Sequence, residues 1–182
     1  MRFYALLVFL FLTVAVNAQV SDTVIVRKPV SFGYKTSEIA REIKALIIHS
    51  TFNASFPNIQ NPDTFSVKGV IKQFKQYNVA AHYLIGRDGV VYQLVDNENI
   101  AFHAGKSQLP DGTTDVNACS IGIEIICTYT VGPNELQYAS LRKLIDLLDA
   151  QYTFTYILGH FDIAPERKTD PWNFVDDGYF RK

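Results

Sequence analysis

Apolar positions run unbroken in some stretches of the chain and recur at intervals in others, and the difference sorts it into elements. Ala45-Leu46-Ile47-Ile48 leads without interruption to His49, which predicts a buried strand over 44–50. Residues 64–77 space Phe65, Val67, Val70, Ile71 and Phe74 near the helical period, with Lys and Gln between them, and predict an amphipathic helix. Segments 82–87 and 90–95 flank Asp88-Gly89. Both positions of a two-residue primed turn need positive φ, so this pair predicts a β-hairpin. Residues 120–126 read as a central strand. Residues 133–152 read as the longest helix, with Leu141, Leu144, Ile145 and Leu148 on one stripe and Pro133 near its start. A last short strand is expected over 155–158. Strands interleaved with helices, plus one hairpin, predict an α/β fold, a central mixed β-sheet with helices packed on it. A site is expected along one edge, where His49 and the 159–171 loop emerge.

The N-terminus follows a different pattern. Met1-Arg2 is a short basic start, Tyr4 to Val16 is an apolar run of 13 residues, and Val16-Asn17-Ala18 resembles a small-residue cleavage site. The run is shorter than the roughly 20 residues of a membrane-spanning helix. Residues 1–18 are therefore expected to be a signal peptide, the alternative being an uncleaved anchor, and residues 19–182 a single exported domain, periplasmic or secreted. Without Arg2 the balance is 16 basic against 18 acidic residues, a net charge of −2. So small an imbalance argues against nucleic acid or an anionic membrane as the main partner. A monomer with no stable membrane insertion is expected.

Two cysteines in an exported chain suggest a disulfide, but Cys119 and Cys127 flank a predicted strand. Eight extended steps separate them by roughly 26 Å, whereas a bridge needs Cα atoms within about 7 Å. Two buried free thiols are expected. No basic neighbour in sequence activates either as a nucleophile.

Chemistry concentrates in Gly159-His160-Phe161-Asp162-Ile163-Ala164-Pro165-Glu166-Arg167-Lys168-Thr169-Asp170-Pro171. His160 and Asp170 are suitable zinc ligands, and His49 at a distant strand end supplies a third; catalytic zinc sites commonly use three protein ligands. Two neutral imidazoles and one carboxylate leave the ion a charge near +1, enough to acidify water for attack on a carbonyl. The competing readings are a core role for either histidine and a turn cap for Asp170. Lys168, two residues before Asp170, would point the same way in an extended segment and could stabilise an oxyanion; otherwise it is a solvated lysine. Glu124 stands alone in an isoleucine-rich strand. Burial raises a carboxyl pKa, as a general base near neutrality requires, unless Glu124 serves a salt bridge with Lys168 or an arginine. Gly122, on the same face, leaves room for a substrate. His82 and His103 are candidate substrate contacts, each with a purely local structural alternative.

Four segments together resemble a known family: Ala81-His82-Tyr83-Leu84-Ile85-Gly86-Arg87-Asp88-Gly89, Phe102-His103-Ala104-Gly105, Ser120-Ile121-Gly122-Ile123-Glu124 and the 159–171 segment. In order and spacing they are similar to the zinc-dependent N-acetylmuramoyl-L-alanine amidases of the AmpD type. These are type-2 amidases, related to phage lysozyme-amidases and animal peptidoglycan recognition proteins. The likeness covers about residues 44–175. It implies a peptidoglycan-recognition-like fold and hydrolysis of the amide joining N-acetylmuramic acid to L-alanine in peptidoglycan or muropeptides. It also implies zinc on His49, His160 and Asp170, with Glu124 as base and Lys168 as transition-state stabiliser. Ala81 stands where phage enzymes usually carry tyrosine, and Asp170 where they carry cysteine; both place the chain nearer the AmpD branch. Phe102 replaces a common tryptophan and Trp172 a common glycine. The rival readings are a zinc peptidase acting on the stem peptide and a peptidoglycan-binding protein without catalysis.

Overall fold

Ile121, Ile123 and Ile125 alternate along one strand with Ser120, Gly122 and Glu124, and that period of two divides the molecule. The computed structural model describes residues 25–176 and Phe180; the expected signal peptide lies outside the described residues. The strands are β1 (Ile25–Arg27), β2 (Tyr34–Lys35), β3 (Ala45–Thr51), β4 (Tyr83–Ile85), β5 (Val91–Gln93), β6 (Ile100–Ala101), β7 (Ser120–Ile126) and β8 (Tyr156–Gly159), with helices α1 (Val67–Tyr77), α2 (Glu135–Tyr152) and α3 (His160–Ile163). Six strands form one sheet in the order β1-β5-β4-β7-β3-β8, and β2 pairs with β6 apart from it. Only β4–β5 is antiparallel within the large sheet. The α/β class with a central mixed sheet is therefore realised.

One face carries Leu46, Ile48, Ile121, Ile123, Ile125 and Ile157 against Leu141, Leu144, Ile145 and Leu148 of α2. Each of these helix side chains stabilises by about 1.5–3 kcal/mol relative to exposure. The opposite face is divided. Val70 and Phe74 of α1 cover Leu84 and Ile126, while Ala45 and Ile47 pack with Ala104, Val116 and Ile163. The same alternation puts His49 and Glu124 on this face, toward the carboxyl ends of β3 and β7.

Local chemistry moves several predicted boundaries. The 64–77 helix begins only at Val67, because Ser66 is extended and its side chain accepts from the Gly69 amide; a separate 3-10 turn covers Pro62–Phe65. Helix α2 begins after Asn134, which forms a capping box with Gln137. The hairpin is present, but its turn differs from the primed two-residue form. Gly86 and Val90 close a three-residue loop, with the Gly89 amide on the Gly86 carbonyl. Only Gly89 has positive φ, at 79°, and Asp88 instead accepts from the Val90 amide. This is a turn with a glycine bulge.

Cys119 and Cys127 are both free, but only Cys127 is buried. Cys119 ends the 3-10 turn Val116–Cys119 at the strand's entrance and is partly exposed, which corrects the expectation of two buried thiols. Burial pushes the Cys127 thiol up to about 11, which makes it a poor nucleophile. Among the described residues no helix is long and apolar enough to cross a membrane.

Candidate metal centre and active site

The site is assembled at the carboxyl ends of three adjacent parallel strands rather than along a side edge of the sheet. β3 lies between β7 and β8, so His49 is interior to the sheet and His160 follows β8 directly. Register pairs His49 with Glu124, placing the two side chains on neighbouring strands, roughly 4.8 Å apart, facing away from α2. Asp170 returns from the loop after α3. The Phe161 amide donates to the Asp170 carbonyl at 2.9 Å. Pro171 then lies so close to Gly159 that a Cβ there would come within 2.7 Å of Pro171 Cδ. Glycine at 159 is what lets the aspartate reach the strand end.

Three donor atoms converge. His49 Nδ1 is 2.9 Å from His160 Nδ1, and Asp170 Oδ2 is 3.2 Å from His160 Nδ1 and 3.4 Å from His49 Nδ1. All three residues are buried. Four-coordinate zinc with bonds of about 2.0–2.1 Å holds its ligands roughly 3.3 Å apart, so the triangle fits that ion. His160 Nε2 lies 3.1 Å from the Ala104 carbonyl, which can only accept; Nε2 therefore carries a proton and Nδ1 is free to present its lone pair. Nitrogen lone pairs and a carboxylate so close repel one another unless a cation sits among them. The cluster is a candidate metal centre of two imidazoles and one carboxylate.

Electrostatics agree with that assignment. Burial, followed by the neighbouring His160, lowers His49 to about 4 and keeps it neutral, as a metal ligand must be. Burial alone would raise Asp170, but the adjoining His160 and His49 draw it far below the usual carboxylate range. Glu124 is shifted the other way. Burial first, then the Asp170 charge, pushes its carboxyl up to about 8, with Lys168 pulling it back. Its Oε2 atom is buried without a hydrogen-bond partner. The expected structural alternative, an arginine or lysine clasping this carboxylate, is not realised at that oxygen. Lys168 sits half-buried on the loop leading to Asp170, and its charge is felt at both His49 and Glu124.

The two remaining histidines have their ring nitrogens engaged within the protein. His82 is fully buried; its Nδ1 accepts from the Gly122 amide, and Nε2 meets the Asn99 carbonyl and the Arg41 guanidinium. Burial and then Arg41 lower it to about 3. It is a core histidine without a free nitrogen. His103 also has both nitrogens engaged, Nδ1 by His49 at 2.9 Å and Nε2 by Ser120 Oγ at 3.2 Å. Burial and the neighbouring His49 hold it well below its usual value, hence neutral. Its ring fills the space over Gly122, where a Cβ would lie 2.5 Å from His103 Cγ. The room expected there for a substrate is taken.

Aromatic side chains a few residues beyond the site residues also meet, and two of them, Phe52 and Tyr129, carried no signal in the sequence. Phe52, Tyr129 and Trp172 follow His49, Glu124 and Asp170 in their respective segments and form one aromatic cluster. Ring centroids are 4.1 Å apart for Tyr129–Trp172 and 6.0 Å for Phe52 with each. Tyr129 is 61% exposed. A groove of about 710 Å³ runs between the loop after Ala104 and the loop after α3, lined by Lys106, Gln108, Thr114, Pro165 and Arg167 among others. Arg41 is half-buried and donates to five carbonyls, those of Asn97, Asn99, Asn117, Ala118 and Ser120. Nothing in the polar segment around it signalled that role.

Residues 39–173 match the family described as N-acetylmuramoyl-L-alanine amidase (Amidase_2), and the chain belongs to that family. The 1,6-anhydro-N-acetylmuramyl-L-alanine amidase AmpD of Escherichia coli is 44% identical over 108 residues, 57% of each chain. The matched stretch thus spans a little over half of that relative's length. A crystal structure of an AmpD selenomethionine derivative superimposes with a TM-score of 0.66 at 28% identity, covering 88% of this chain and 93% of that one. The amidase AmiD of E. coli, solved with anhydro-N-acetylmuramic acid-L-Ala-D-γ-Glu-L-Lys, gives a TM-score of 0.60 at 25% identity over 76% of this chain and 61% of that one. The type-2 amidase fold expected from the sequence is the fold observed.

Proposed function

We propose that this protein is a zinc-dependent peptidoglycan hydrolase that cleaves the amide between N-acetylmuramic acid and L-alanine. The observation that carries the reading is the convergence of His49, His160 and Asp170 beside an unpartnered Glu124 carboxylate oxygen. Family membership and the muropeptide bound to AmiD support the choice of bond. His49, His160 and Asp170 would hold the ion. Once bound, zinc supplies a Lewis acid for the amide carbonyl and lowers the pKa of the attacking water.

The chain's own residues do the rest. Glu124, beside His49 in register, takes a proton from the water as its oxygen bonds to the carbonyl carbon. The Lys168 ammonium stabilises the negative charge that develops on the carbonyl oxygen. The C–N bond then breaks, and Glu124 passes its proton to the departing amine. The products are a free lactyl carboxylate on muramic acid and a stem peptide beginning with L-alanine. A carboxyl raised by burial is suited to both halves of this exchange, because it holds a proton long enough to return it.

The N-terminal pattern supports export to a compartment where wall material is reached, and the near-neutral charge fits an uncharged glycan better than a polyanion. A monomer suffices for this chemistry, since all five residues come from one chain. The test is digestion of purified sacculi and defined muropeptides, with and without a chelator, followed by product mass spectrometry. The expected outcome is stem peptide released with its L-alanine amine free, abolished by chelation and restored by zinc. Cleavage inside the peptide instead would establish a peptidase, and binding without product a recognition protein.

A further inference from the structure

The two histidines that present Nδ1 to the candidate ion have their outer nitrogens held differently. His160 Nε2 faces a backbone carbonyl, which fixes its tautomer at once. His49 Nε2 faces another imidazole nitrogen, His103 Nδ1, at 2.9 Å, and such a nitrogen donates or accepts according to its own tautomer. The choice is made two contacts further away. Ser120 has one hydroxyl proton, and it donates to the Val116 carbonyl at 2.5 Å. Toward His103 Nε2 the same oxygen can then only accept, so Nε2 carries the proton of the neutral ring and Nδ1 is bare. His49 must donate from Nε2, which leaves its own Nδ1 lone pair facing His160 and Asp170.

We infer that His103 is a positioning residue that, through this relay from Val116 and Ser120, fixes His49 in its metal-binding tautomer and orientation. The inference rests on the metal-centre reading above. Hydrogen-bond partners of ligating histidines commonly act in this way, though most are carboxylates or carbonyls; here the partner is a second imidazole. The surroundings are built to hold it. Gly122 leaves the ring its space. Asn117 Oδ1 accepts from the backbone amides of both His103 and Ala104, at 3.0 and 2.8 Å. One side chain thus anchors the His49 partner and the carbonyl that holds His160. Arg41 Nη2 in turn binds the carbonyls of Asn117 and Ser120.

The test measures zinc affinity by competition with a chromophoric chelator for the wild type, His103→Ala, His103→Asn and Gly122→Ala, with folding checked by circular dichroism. Side-chain ¹H–¹⁵N spectra of the metal-free wild type locate the histidine protons. His103→Ala and Gly122→Ala should each weaken zinc binding roughly 10–100-fold. His103→Asn, whose Oδ1 can accept near the place of Nδ1, should recover most of the loss, and His49 should carry its proton on Nε2. A His103→Ala protein that binds zinc within twofold of wild type, or a His49 proton on Nδ1, would overturn the relay. A wild type that takes up no zinc would remove the metal-centre reading itself, and the proton position would still decide the relay.

Discussion

His49 and Glu124 are partners in register on adjacent strands, yet their surroundings are opposite. Every nitrogen of His49 has a neighbour at hydrogen-bonding distance, and its position is prescribed by atoms well outside the site. Glu124 has a buried oxygen with no partner and a carboxyl raised to about 8. An unsatisfied buried polar group costs about 1–3 kcal/mol, and the fold tolerates that cost at one atom of the site while satisfying its neighbour. A group that holds an ion benefits from rigidity. A group that must accept and return a proton benefits from not being committed elsewhere.

The largest expected effect comes from dismantling the rigid corner. His160→Ala or Asp170→Ala should bring zinc content below stoichiometric detection and lower kcat by about three orders of magnitude or more, checked by metal analysis and muropeptide turnover. Breaking the poised corner should separate the two roles. Glu124→Gln should keep full zinc content while kcat falls roughly 10²–10⁴-fold; full activity in that variant would end the assignment. Lys168→Met should lower kcat by about 10²-fold with a smaller change in KM, because its charge is needed as the transition state forms. A stability effect comes next: chelation of the zinc-loaded protein should lower Tm by roughly 5–10 °C, read by calorimetry.

The smallest effect sharpens the contrast through pH. Glu124 is held above its ordinary value of 4.5, so its contribution to metal-free stability is present at low pH and fades as pH rises from about 4.5 toward 8. His49 is held below its ordinary 6.5 at about 4, and its contribution fades as pH falls from about 6.5 toward 4. Metal-free Tm should therefore peak between these limits. Glu124→Gln should flatten the alkaline limb and leave the acidic one, as a pH series of thermal melts would show.

The three candidate ligands stood out because His49 ends an apolar strand, His160 follows another, and Asp170 closes the short polar segment after it. Glu124 was legible because a lone carboxyl among isoleucines is costly to bury and serves no packing purpose. The hydrogen-bond partners of His82 and His103 were not legible, since Arg41 and Ser120 approach from distant segments. Gly122 shows the same limit: the sequence indicates a gap, but only packing reveals that His103 fills it. The hairpin was visible in Asp88-Gly89, whereas its turn type depended on which backbone amide the aspartate would bind. Ser66 was invisible as a helix start inside an apolar period that continued across it.

Arg41 carries a consequence for the connection between β2 and β3. It lies outside both strands and contributes no strand pairing, so by the sheets alone residues 36–44 look like mere linkage. Its guanidinium nevertheless gathers the carbonyls of two separate stretches, 97–99 and 117–120, and deleting it would leave five acceptors without that donor. That linkage is therefore tied to the loops behind the site by a single cation, and Arg41→Met should retain both sheets while zinc binding weakens, as chelator competition would show.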